Sequence, residues 1–137
     1  MSARQAASTF DVSDFSPRDW SPYVATSVTP ADIDMVKNFS GDIEGRSVTR
    51  FVGGLTEDQS AGAYAAWESF EGSIDGIAGS FAFVHMQVLS DSTVETMALH
   101  IVPSSGTGGL AGLAGAGGIR VDEDGTHRLW LDYSLPA

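Results

Sequence analysis

Cysteine is missing from this 137-residue chain, and lysine occurs once, at Lys37. The first absence excludes thiolate chemistry, Cys-based zinc sites and a disulfide framework. It suits a reducing compartment, and a cytoplasmic location is expected. The second belongs to a wider scarcity of positive charge. Lys and Arg number 7 against 18 Asp and Glu, a net charge of −11. Such a surface repels phosphate backbones and anionic membranes. No basic stripe with interleaved aromatics is present either, so nucleic acid is not an expected partner.

Long apolar runs are absent too. No 18-residue apolar stretch occurs, so no membrane span is expected. Residues 1–8 carry one arginine and no apolar run of seven, which argues against a signal peptide; they are expected to be a disordered N-terminal segment. Residues 9–137 fit one domain. At this size a globule buries about two-thirds of its unfolded surface, enough for one core without metals or disulfides.

Helical periodicity with caps is scarce. The best candidate is Pro30–Lys37, with Thr29 as N-cap and Pro30 at the first helical position. The same residues read as a strand with Ile33 and Met35 on one face, and the strand is favoured. Strand signals recur elsewhere: Ser8–Phe15, Ile43–Leu55, Ala63–Ile74, Ser80–Leu89, Thr93–Val102 and Arg128–Leu135. Turn residues separate them at Ser40-Gly41-Asp42, Gly53-Gly54, Glu71-Gly72, Asp75-Gly76, Ser90-Asp91-Ser92 and Asp124-Gly125. Segments of this length with short links predict antiparallel neighbours in a meander. A meander of about eight twisted strands closes or leaves two exposed edges. The expected fold is all-β, a single closed antiparallel barrel.

In Ser80–Leu89 both faces are mostly apolar: Phe81, Phe83 and Leu89 on one, Ala82, Val84, Met86 and Val88 on the other. A strand wetted on one side alternates instead. Cover on both faces is therefore expected, from a terminal segment or from a second subunit in a homodimer. Monomer alone in sedimentation over a wide concentration range would count against the dimer.

The glycine-rich run from Ser104 to Gly118 contains Gly106-Thr107-Gly108-Gly109-Leu110-Ala111, which imitates a dinucleotide fingerprint. That fingerprint needs a helix directly after the turn, and here more glycines follow. The expected role of Leu110-Ala111-Gly112-Leu113 is to plug a barrel end or line its mouth. A mobile lid is the functional variant.

Several phrases together resemble a bacterial family. They are Ser40-Gly41-Asp42-Ile43-Glu44-Gly45, Glu68-Ser69-Phe70-Glu71-Gly72-Ser73, Gly79-Ser80-Phe81 with His85, Val102-Pro103 running into Ser105-Gly106-Thr107-Gly108, and Leu110-Ala111-Gly112-Leu113. On these the chain resembles domain-of-unknown-function family 3224 over roughly Phe10 to Tyr133. The resemblance implies a barrel similar to allene oxide cyclase and assigns no activity. Two departures stand out. Gly109 replaces a usual glutamate, and Leu99 or His100 replaces a usual tryptophan before Val-Pro.

Candidate site residues come from polar groups set among apolar strands. Glu68 shares a face with Tyr64, Ala66 and Phe70; if that face is inner, desolvation makes it a candidate acid or base. Glu44 is the second candidate carboxylate. The bland alternative for both is solvent exposure. His85 lies with Phe81, Phe83 and Gln87, as a satisfied core residue, a pocket base or, least in keeping with its spacing, a metal ligand. Arg46 shares parity with Glu44 and Asp42, giving a surface salt bridge or a polar pocket end. Tyr64, Phe70, Phe81, Phe83, Arg46 and Leu110 are the candidate ligand contacts. No nucleophile motif, metal site or cofactor site is expected.

An eight-stranded barrel is filled by side chains or holds one small ligand. The leading expectation is a pocket for a small apolar organic molecule, with cofactor-free cyclisation or isomerisation through Glu68, His85 and Glu44. A non-catalytic carrier and a solid protein-interaction barrel are the alternatives.

Overall fold

The computed structural model describes residues 3–136. Among these residues nine strands occur: β1 (Arg4–Pro17), β2 (Ala31–Gly41), β3 (Ile43–Leu55), β4 (Gly62–Ile74), β5 (Ile77–Ser90), β6 (Thr93–Ile101), β7 (Thr107–Gly108), β8 (Ala114–Val121) and β9 (His127–Ser134). No helix is found among the described residues, and hence none long and apolar enough to cross a membrane. Every pairing is antiparallel. β1 to β6, β8 and β9 follow one another around an eight-stranded ring, which β9 closes by pairing with β1. The two-residue β7 adds to β5.

Strand β1 begins at Arg4, and residues 4–10 pair with β9 from Tyr133 to His127. The expected disorder of residues 1–8 is therefore corrected for residues 4–8: Ala6 and Ser8 face inward and are buried. Without them the ring would have no closing seam. Pro30–Lys37 is strand from Ala31 onward, with Ile33, Met35, Lys37 and Phe39 buried on the inner face.

Two expected turns lie inside strands. Gly72 is in β4, directly opposite Gly45 of β3, at φ values of 152° and 144°. A Cβ on Gly72 would sit 2.1 Å from the Glu44 carbonyl oxygen. The pair lets two backbones approach at a barrel corner, as strand glycines do. Gly72→Ala is expected to cost about 2–4 kcal/mol, from strain plus overpacking; urea denaturation measures it. Gly53 makes room instead for Tyr64 across the same strand pair, since its Cβ would lie 2.4 Å from that of Tyr64.

The barrel has two unlike ends. The β2–β3 and β4–β5 turns share one end, joined by the Asp75 amide donating to the Asp42 carbonyl. Leu110 and Leu113 close this end and are fully buried in the core. The glycine-rich run thus plugs the barrel, and its last five residues open β8. The middle is filled by aromatic rings in succession, Phe10–Phe39–Phe70–Phe81–Phe83, with centroids 5.1–5.7 Å apart. Each such pair adds about 0.5–1.5 kcal/mol beyond its burial.

The opposite end carries the β3–β4 and β5–β6 turns, linked by the Ser92 amide donating to the Ser60 carbonyl. On the outer face of β5, Val84 and Met86 are more than one-third exposed, beside the half-exposed Trp67. Within one chain this face is uncovered, so the expected cover from a terminal segment is corrected. Both described termini are spent elsewhere, on the β1–β9 seam.

Candidate functional site

The inner face of β4 runs Tyr64, Ala66, Glu68 and Phe70 from the open end inward. Glu68 is fully buried. Its Oε2 accepts from Lys37 Nζ at 2.5 Å and His85 Nε2 at 2.6 Å, and its Oε1 from Ser47 Oγ at 2.5 Å. Four strands supply the cluster: β2 gives Lys37, β3 Ser47, β4 Glu68 and β5 His85. Period-two alternation puts each side chain inside: Lys37 lies between Met35 and Phe39, Glu68 between Ala66 and Phe70, His85 two positions after Phe83, and Ser47 two positions before the buried Thr49.

Burial alone would raise the Glu68 carboxyl, since it penalises the charge. The His85 hydrogen bond and the Lys37 charge, then the His85 charge and the Lys37 hydrogen bond, outweigh it and hold the group at about 2. A charged carboxylate inside a barrel is tolerable only with such company. Lys37 Nζ also lies 4.8 Å from the Phe10 ring centroid, a cation–π contact. With neutral His85, Lys37 and Glu68 cancel, and the buried cluster carries no net charge.

His85 extends the cluster toward the open end. Its Nδ1 lies 2.9 Å from the Tyr64 hydroxyl, and its ring stacks on Phe83 at 5.9 Å between centroids. Burial, then the negative charge of Glu68, push the Tyr64 phenol up to about 12. Tyr64 stacks on Phe51, centroids 4.8 Å apart and planes 18° apart. Both rings line a cleft of about 400 Å³ at the open end, together with Leu55, Gln87 and Leu89. Thus an apolar cleft meets, through one phenol, a buried charged cluster. Among the described residues the Thr49 and Ser8 hydroxyls are buried without a hydrogen-bond partner, Thr49 lying directly opposite Glu68 in the β3–β4 register.

The structure brings Glu68, His85 and Tyr64 together and separates the other candidates from them. Glu44 is on the outer face of β3, in solvent, so its expected interior position is corrected. Its parity companions explain this: Asp42 and Arg46 also face water. Arg46 binds Glu71 across the outside of the barrel at 2.8 Å, not Glu44, and forms no pocket end. Phe70, Phe81 and Phe83 are buried in the filled middle and do not line the cleft. Leu110 is in the plug at the far end. Among the described residues no group of three or more His, Asp or Glu is arranged to hold a metal ion.

Lys37 and Ser47 escaped the sequence reading. The signal for Lys37 was present, because it shares parity with Ile33, Met35 and Phe39. A lone lysine on an apolar strand face needs a buried counter-charge. Ser47 had no comparable mark.

The model of the family described as "Protein of unknown function (DUF3224)" matches residues 6–133. Among solved structures, one similar protein is a protein of unknown function from the DUF3224 family of Shewanella oneidensis MR-1, determined by crystallography at 1.84 Å. It is 27% identical, with a TM-score of 0.88 over 99% of this chain and 100% of that one. Comparison with curated proteins finds no match.

Proposed function

This chain belongs to the DUF3224 family of proteins of unknown function, so its activity must be read from its own side chains, and we propose that it binds a small, mainly apolar organic molecule at the open end and isomerises or cyclises it without a cofactor. One observation carries the reading: Tyr64 is shared between an apolar cleft and the buried His85–Glu68–Lys37 cluster. The cleft volume lies in the usual range for small-ligand sites, which are apolar with few polar groups.

In this reading the substrate's apolar body rests on Phe51, Leu55 and Leu89. Its polar end meets Tyr64. Tyr64 exchanges a proton with the substrate, His85 holds the proton, and Glu68 stabilises the imidazolium. Lys37 keeps Glu68 ionised while buried. Positioned acid–base groups of this kind contribute about 10²–10⁴-fold in rate. Orientation in the cleft supplies the remainder.

Native mass spectrometry of protein purified from its own host identifies the retained molecule. With that molecule as substrate, Tyr64→Phe is expected to lower turnover at least about 100-fold while KM moves only a few-fold. A retained molecule that no form of the protein converts makes the barrel a carrier. A cleft that binds no apolar compound, with Leu55→Arg behaving like the wild type, overturns the pocket itself.

A further inference from the structure

The direction of the hydrogen bonds in the cluster fixes what Tyr64 can offer a ligand. Glu68 is ionised and can only accept. Its Oε2 therefore accepts a hydrogen bond from His85 Nε2, as well as one from Lys37 Nζ. Lys37 already balances the Glu68 charge. A neutral imidazole keeps this buried group of side chains uncharged, whereas a second cation would be left uncompensated in the interior. The His85 proton is then on Nε2, and Nδ1 carries a lone pair. Nδ1 must accept from the Tyr64 hydroxyl, 2.9 Å away. The phenol spends its only proton on His85, and its oxygen keeps acceptor capacity only.

We infer that the open-end cleft selects apolar molecules bearing a hydroxyl donor, which it places against the Tyr64 Oη, rather than molecules whose only polar group is an ether or carbonyl oxygen. This rests on the proposed reading of the cleft as the binding site, and it names the ligand class. An ether or carbonyl oxygen would meet the Tyr64 oxygen lone pair to lone pair. Gln87 does not discriminate, since its amide both donates and accepts. Tyr64 alone sets the preference.

The same geometry allows a balanced proton transfer. The ligand O–H breaks as a new bond forms between its proton and Tyr64 Oη. The original Tyr64 O–H breaks as its proton passes to His85 Nδ1. The products are a ligand oxyanion and an imidazolium paired with Glu68. Neither oxidant nor co-reactant is needed, and the reverse step returns the proton. A ligand made an oxyanion in this way can lose or gain a proton elsewhere, as an isomerisation requires.

The test uses the full chain and two fluorescent probes of near-equal shape, 2-naphthol and 2-methoxynaphthalene, titrated at pH 7. Wild type is expected to bind the naphthol about tenfold tighter, the worth of one hydrogen bond made or missed. In Tyr64→Phe the ratio is expected to fall to about twofold or less. Nitrogen-15 NMR of His85 is expected to show Nε2 protonated and Nδ1 accepting. Equal or tighter binding of the ether, a preference that survives Tyr64→Phe, or a proton on Nδ1 overturns the inference. If both probes bind equally and Leu55→Arg abolishes both, the cleft stands as a site and only the donor selection falls. If neither probe binds wild type, the cleft reading fails and takes this inference with it.

Discussion

Lys37→Met is expected to lower stability by about 3–5 kcal/mol, the usual consequence of removing one partner from a buried ion pair. Glu68 would keep its burial and lose its cation, 2.5 Å away in the native barrel. For a domain whose total stability is of order 5–15 kcal/mol, this leaves little margin. Urea denaturation at pH 7 measures the loss. The double variant Lys37→Met/Glu68→Leu removes both charges and should recover most of the loss. Recovery would show that the penalty belongs to the orphaned carboxylate and not to the lysine stem packed over Phe10.

The barrel was legible because its strands carry both periodicity and punctuation. Ile43–Leu55 was read with the bounds that β3 has. The failures share one cause. Glycine marks a turn and a close backbone approach by the same absence of a Cβ. Gly53-Gly54 and Glu71-Gly72 looked like turns, but they lie opposite Ala63–Tyr64 and Gly45, and only the register reveals that. The inner position of Glu68 was readable from Tyr64, Ala66 and Phe70 at the same parity. The outward position of Glu44 was equally readable from Asp42 and Arg46. Parity says which face a side chain takes, not which strand stands beside it. The cluster depends on registers such as Lys37 opposite Ser47 and Glu68 opposite Phe83. Those pairings follow from turn lengths and packing across the whole ring, so the meeting of Lys37, Glu68 and His85 was hidden. For the same reason Phe70, Phe81 and Phe83 could be placed inside, but whether they line a cavity or fill it could not be read from one strand.

Acid should expose the same cluster from the other side. The Glu68 carboxyl is held at about 2 in the barrel, against 4.5 for an ordinary glutamate. A folded value below the unfolded one gives stability that is fully present above 4.5 and is lost as pH falls toward 2. The difference corresponds to about 3 kcal/mol. Other carboxylates with exposed arginine partners, the buried Asp32 at Arg50 and the half-buried Asp122 at Arg128, are also lowered and contribute a shallower, solvent-screened slope. Glu68→Gln leaves that slope intact and removes the buried carboxylate. At pH 6 the variant should be less stable than wild type by several kcal/mol, since Lys37 then lacks its counter-charge. Between pH 4.5 and pH 2 wild type should lose its advantage, and the gap should narrow by about 3 kcal/mol. Urea denaturation of both proteins at fixed pH values measures the gap directly. A gap that widens as pH falls from 6 would mean that Glu68 does not carry its charge in the folded barrel. In that case the hydrogen of the His85–Glu68 contact could belong to the carboxyl, and the acceptor sense assigned to Tyr64 would lose its foundation.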